Sequence, residues 1–213
     1  MLLMGSSVSR RAALGLLTAA AVAGRGQAAT APRVCLLGDS ITSGYGLPAS
    51  QALPKRLEAE LARLGRPAQV LGAGLDGATT AGSVRRVDRA LATGAKVCVV
   101  ALGGNDLLTG ADPARVRASL DEIVRRLKAR GVTVVLAGVQ APPILSGAWA
   151  RSFNAAFASV ARQHGVLFLP DLLAGVALRP ELNQRDGIHP NAAGVGVIAR
   201  RLAPLVARAL GQP

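Results

Sequence analysis

From residue 33 onward, short apolar runs alternate with stretches whose apolar positions recur every three or four residues. The runs at 33–37, 68–71, 96–102, 132–139 and 166–169 predict strands. The third is rich in β-branched residues without a polar break, as burial on both faces requires. Between them, 51–64 predicts a helix with Leu53, Leu57, Leu61 and Leu64 on one stripe. Further helices are predicted at 82–91, 113–130, 148–164 and 192–210. Asp112 suits the N-cap of the third helix and Pro113 its first position. Gly131 and Gly165 suit the residues just past two helix ends. Strand followed by helix, repeated five times, predicts a parallel sheet with helices on both faces. The fold class is α/β, a single-domain three-layer α/β/α sandwich with a five-stranded parallel sheet over residues 33–210.

In such a sheet, ligands bind beyond the carboxyl ends of the strands. Chemically suggestive residues fall there. Gly38-Asp39-Ser40 follows the first strand, and a glycine-rich loop containing Gly72, Gly74, Gly77 and Gly82 follows the second. Gly103-Gly104-Asn105-Asp106 follows the third, Ala141-Pro142-Pro143 the fourth, and Asp186-Gly187-Ile188-His189 lies between the fifth and the last helix.

Composition narrows the class. Half of the 213 residues are hydrophobic, which excludes a disordered chain, and aromatics make up only 2%, leaving almost no platform for stacking nucleic-acid bases. The net charge is +13, but the arginines are scattered at helical spacing and form no tight basic run. Nucleic acid is therefore not an expected partner, while weak peripheral contact with anionic membrane is. The N-terminus predicts an export leader over residues 1–29. Ser9-Arg10-Arg11 precedes an apolar stretch at 12–23 too short to span a bilayer, and small residues place a cleavage site within about 26–31. The arginine pair resembles a twin-arginine signal. Removing Arg10, Arg11 and Arg25 would leave +10. The expected location is periplasmic or secreted, and the expected state a monomer. Cys35 and Cys98, both inside strand-like runs, are expected to be buried thiols rather than a disulfide or metal site.

The chain has two histidines. His164 ends a helix, where capping accounts for it. His189 has Asp186 three residues earlier, close enough to orient an imidazole; a turn in which Asp186 binds backbone amides explains the pair equally well. Ser40 sits where a turn would expose it as a nucleophile, or where a serine would merely cap a helix. It does not lie in a G-x-S-x-G elbow, since position 42 is Thr. Asn105 offers an amide donor beside two glycines, and a sharp turn would also use that sequence. Gly77 is a backbone donor or a point of loop flexibility.

Taken together, these blocks resemble the GDSL, or SGNH, hydrolases. Gly38-Asp39-Ser40-Ile41-Thr42-Ser43-Gly44-Tyr45-Gly46 is similar to their first block, Gly77 to the second, Gly103-Gly104-Asn105-Asp106 to the third, and Asp186-Gly187-Ile188-His189-Pro190 to the last. The resemblance covers residues 33 to 208 and is nearest to the small secreted bacterial thioesterase, arylesterase and lysophospholipase branch. It implies a flavodoxin-like fold and a serine esterase without metal or cofactor. Ser40 would be the nucleophile, His189 the general base and then acid, and Asp186 the residue orienting His189. The amides of Ser40 and Gly77 and the side chain of Asn105 would form the oxyanion hole. The loop Gly72-Ala73-Gly74-Leu75-Asp76 differs from the family, where Asn often begins that segment. Tyr45, Leu107 and Pro143 are candidates to line the substrate pocket, for an acyl ester or lipid. Two other readings are a glycan acetylesterase and an envelope-binding protein with a vestigial site.

Overall fold

Alternation along the first strand sorts its side chains between two cores. In the computed structural model, which describes residues 31–211, Cys35 and Leu37 enter one core and Val34 and Leu36 the other. The predicted leader and its three arginines lie outside the described residues. In chain order the first elements are β1 (Arg33–Gly38), α1 (Ser40–Ser43), α2 (Leu53–Arg63), β2 (Gln69–Gly74), α3 (Thr80–Ser83) and α4 (Val87–Leu91). There follow β3 (Val97–Ala101), α5 (Gly104–Leu108), α6 (Pro113–Ala129), β4 (Thr133–Ala137), α7 (Ala148–His164), β5 (Leu167–Leu169) and α8 (Ala192–Leu210).

The five strands are all parallel, in the order β2-β1-β3-β4-β5. Helices α2 and α8 cover one face, and α4, α6 and α7 cover the other. This is the three-layer sandwich expected from the pattern. On α2, Leu53, Leu57 and Leu61 are fully buried, each contributing about 1.5–3 kcal/mol. Asp112 caps α6, its carboxylate accepting the Ala114 N–H at 2.9 Å. The crossovers diverge between β1 and β3, and a parallel sheet opens its ligand crevice at that switch point.

Four details differ from the pattern. The second strand runs on to Gly74, so Gly72 and Gly74 belong to β2 and not to the loop after it. The helix expected at 82–91 begins earlier and is interrupted by a 3-10 turn at Val84–Arg86. Thr79 caps the earlier start by accepting the Gly82 N–H at 3.1 Å. The helix expected at 51–64 starts at Leu53, because residues Ala49–Gln51 form a separate 3-10 turn. Helix α5 was not expected, since five residues are too few to show a helical period, whereas α1 begins at Ser40, where a helix or a tight loop was expected. Cys35 and Cys98 stand opposite each other on β1 and β3, buried and unbridged, as free thiols. The hydrogen bond to Cys35 and full burial push the Cys98 thiol well above its ordinary range.

Candidate active site

The turn after β1 is packed too closely for a side chain at its start. A Cβ on Gly38 would lie 2.5 Å from both the Ala101 carbonyl oxygen and the Thr42 hydroxyl. Asp39 then caps α1 by accepting the Ile41 N–H at 3.0 Å, and the Thr42 hydroxyl donates to the Asp39 carbonyl at 2.8 Å. Ser40 is thereby fixed as the first residue of α1, only 9% exposed. Its Oγ lies 2.9 Å from His189 Nε2.

His189 is held from several sides. Asp186 Oδ1 accepts the N–H groups of Ile188 and His189 at 2.9 and 3.0 Å, while Oδ2 lies 2.6 Å from His189 Nδ1. The local turn and the imidazole contact, alternatives in the sequence, coexist on one carboxylate. Hydrogen bonds from the His189 amide and ring, and from the Ile188 amide, hold the Asp186 carboxyl down to about 2. Gln184 donates its side-chain amide to the carbonyls of Tyr45 (2.8 Å) and Pro190 (3.1 Å), and its backbone N–H to the His189 carbonyl (2.7 Å). Buried Asn183 ties the same segment to the Val176 and Arg179 carbonyls. Sequence reasoning missed Asn183 and Gln184, because amides without a motif carry no signal until the loop is folded.

Asn105 and Gly77 enter from β3 and β2. Residues 75–78 form a tight turn, with the Ala78 N–H donating to the Leu75 carbonyl at 3.0 Å. Gly77 is its third residue at φ +73°, a conformation that strains any residue with a Cβ. The Asn105 amide donates to the Ala78 carbonyl at 3.0 Å, leaving its second N–H for a ligand. Buried Asp106 accepts the Thr80 amide at 2.9 Å and the Thr80 hydroxyl at 2.7 Å, locking the β3 loop to the β2 loop. Asp76 accepts the Ser43 hydroxyl at 2.5 Å, so it braces α1.

Ser40, His189 and Asn105 border an apolar groove lined also by Leu107, Leu108, Val139, Leu173 and Ile188. Of the pocket candidates, Leu107 lies in this groove. Tyr45 instead packs its ring against His189, centroids 4.5 Å apart, and shares a narrow cleft with Ile41 and Leu47. Pro143 is exposed and lines neither space. Leu173 was missed, because it sits beyond β5 in a segment with no recognisable block. Among the described residues, no group of three or more His, Cys, Asp or Glu side chains converges as a metal site requires. His164 pairs with Asp121 at 2.7 Å, joining α7 to α6. Trp149 donates to the Ala111 carbonyl at 3.1 Å and stacks on Phe153.

Burial pushes the Asp39 carboxyl up to about 6, against the opposing hydrogen bond from Ile41. A raised carboxyl pKa means that the folded protein binds this proton more tightly than the unfolded chain. The contribution is therefore full below the ordinary carboxylate range and declines as pH rises to about 6. Asp39→Asn keeps an acceptor for the Ile41 N–H and removes the buried charge. Relative to the parent, the variant should gain about 2–3 kcal/mol between pH ~4 and pH ~7.5, read from urea midpoints.

Residues 36–197 match the GDSL-like lipase/acylhydrolase family. Esterase TesA of Pseudomonas aeruginosa is 35% identical over 165 residues, covering 77% of this chain and 82% of that protein. The thioesterase 1/protease 1/lysophospholipase L1 of Escherichia coli K12 is 31% identical over 185 residues, 84% of this chain and 88% of its own. A crystal structure of TesA superposes with a TM-score of 0.78 at 31% identity, covering 83% of this chain and 99% of that one. On the matched domain, its ordered blocks and the sheet that carries them, the chain belongs to the GDSL-like lipase/acylhydrolase family.

Proposed function

We propose that this protein is a serine esterase that cleaves carboxylic esters or thioesters through an acyl-enzyme on Ser40. The observation that carries the reading is the unbroken relay from Ser40 Oγ to His189 Nε2 (2.9 Å) and from His189 Nδ1 to Asp186 (2.6 Å). Ester or thioester hydrolysis is also the activity in the names of the esterase and thioesterase relatives. Ser40 Oγ attacks the acyl carbon while His189 Nε2 takes its proton. The carbonyl oxygen becomes an oxyanion, stabilised by the amides of Ser40 and Gly77 and the free N–H of Asn105. His189 returns the proton to the leaving alcohol or thiol, and the acyl group stays on Ser40. Water, deprotonated by His189, then releases the acid and restores the hydroxyl.

The acyl chain occupies the groove between Leu107 and Leu173, whose apolar walls favour hydrocarbon over a sugar. The alternative of a glycan acetylesterase loses ground because Trp149 is committed to the Ala111 carbonyl and Phe153. Hydrolysis of p-nitrophenyl acetate, butyrate and octanoate tests this reading. Leu173→Trp, which fills the groove, should lower the octanoate-to-acetate ratio of kcat/KM by about tenfold. An unchanged ratio would place the chain elsewhere. Asn105→Ala should lower kcat by about 10²–10³-fold, the typical effect of removing one oxyanion donor.

A periplasmic or secreted location is part of the proposal, supported by the pattern of residues 9–31 and tested by fractionating cells that express the full chain. So are a monomeric state and weak contact with anionic membrane, the latter supported by the charge of +10 that would remain without the leader's Arg10, Arg11 and Arg25. Among the described residues, no helix is long and apolar enough to cross a membrane.

A further inference from the structure

Arg86 lies in the 3-10 turn behind the loops that carry Ser40 and Gly77. Its Nη1 donates to the Gly38 carbonyl at 3.1 Å, and its Nη2 donates to the Ala73 carbonyl. Ser83 Oγ is 3.5 Å from Nη1. Gly38 ends β1, two residues before the nucleophile. Ala73 is the next-to-last residue of β2, four before Gly77. A single planar cation therefore bridges the ends of the two strands from which the nucleophile turn and the Gly77 turn depart.

The need for such a bridge follows from topology. Among the described residues β2 is an edge strand, paired only with β1. Beyond Gly74, contacts back to the first loop include the Leu75 N–H on the Gly38 carbonyl (3.2 Å) and the Ser43–Asp76 hydrogen bond. The latter joins two exposed side chains. An oxyanion hole needs its donors placed within about 0.5 Å. The Asn105–Ala78 and Asp106–Thr80 bonds tie the Gly77 loop to the β3 loop, and Arg86 adds the tie to the end of β1. Among the described residues Arg86 takes part in no salt bridge. Its two terminal nitrogens are directed instead at two backbone carbonyls, a fork that lysine cannot reproduce with one nitrogen. Burial and the neighbouring Arg89 lower its pKa, so the cation is held there against a desolvation cost.

We infer that Arg86 is a positioning residue that holds the Gly77 donor in register with Ser40 by bridging the ends of β1 and β2. The inference rests on the serine-esterase reading and gives Arg86 no contact with substrate. Loss of the bridge should therefore weaken the transition state more than ground-state binding, so kcat falls while KM is nearly unchanged.

The test is steady-state kinetics on p-nitrophenyl butyrate with Arg86→Met, Arg86→Lys, Ser40→Ala and Arg126→Met, each with its thermal midpoint. Arg126 is the control for stability. It bonds the Val84 carbonyl (2.7 Å) and Asp88 (2.6 Å) in the same segment but touches neither loop. Arg86→Met should lose about 10–100-fold in kcat with KM within about threefold, and Arg86→Lys should lose less. Arg126→Met should lose stability and keep kcat. If Arg86→Met does not fold, a wild-type kcat in folded Arg86→Lys overturns the inference, and a partial loss at constant KM upholds it. Folded Arg86→Met with kcat within about twofold of the parent overturns the inference alone, as does an equal kcat loss in Arg126→Met. A parent protein whose turnover survives Ser40→Ala overturns the esterase reading, and this inference with it.

Discussion

Ser40→Ala should abolish ester hydrolysis, lowering kcat by about 10⁴–10⁶-fold while leaving the thermal midpoint near that of the parent. The size follows from the division of labour at the site. Without the hydroxyl there is no acyl-enzyme, and only binding and the oxyanion donors remain to assist direct attack by water. The fold should tolerate the change, because Asp39 caps α1 and the Ser40 carbonyl, which accepts from the Gly44 and Tyr45 amides, is retained. A residual rate above about 1% of the parent on all three p-nitrophenyl esters would mean that another group attacks the carbonyl.

Asp186→Asn should be the next most damaging change, lowering kcat by about 10³–10⁴-fold. The two oxygens of Asp186 do different work. Oδ1 accepts the Ile188 and His189 amides, and asparagine can keep that role with its own carbonyl oxygen. The nitrogen then replaces Oδ2 and presents a donor to His189 Nδ1. A neutral imidazole answers by carrying its proton on Nε2, the atom facing Ser40, where it can no longer accept the serine proton. The loop should therefore survive while general-base catalysis fails. The depressed carboxyl pKa gives the matching pH behaviour in the parent. Its contribution is present above the ordinary carboxylate range and is lost only as pH falls towards about 2. Asp186 should accordingly add no acid limb to kcat/KM at any pH where the protein is assayed. A limb between about pH 4 and 5 that disappears in Asp186→Asn would contradict this assignment.

The architecture was legible because hydrophobic periodicity records burial. The fully buried run at β3 and the Leu53, Leu57, Leu61 stripe on α2 could be read without coordinates. Ser40, Asn105, Asp186 and His189 were singled out for another reason: each taken alone also suited a turn or a cap, and it was the resemblance of their ordered blocks to the GDSL hydrolases that pointed to them. What escaped was set by long-range contact. Leu173 lines the groove only because the chain beyond β5 turns back towards β3. Gln184 reaches Tyr45 across 139 residues of sequence, and Arg86 reaches Gly38 across 48. Tyr45, a candidate pocket wall, lines the narrow cleft that also holds Ser40 and His189, and the bond from Gln184 to its carbonyl ties down its loop. Asp106 was visible within its block, yet its bond to Thr80 depends on two loops meeting at the switch point.

The central claim is that Ser40 attacks the acyl carbon and carries the intermediate. An ethyl phosphonate ester with a p-nitrophenol leaving group mimics that step and stops at the covalent adduct. Protein treated with it and analysed by intact and peptide mass spectrometry should gain one phosphonyl group, on Ser40, as ester hydrolysis is lost in parallel. Protein that keeps its esterase activity without an adduct, or that carries the adduct on another residue while Ser40 stays free, would contradict the account.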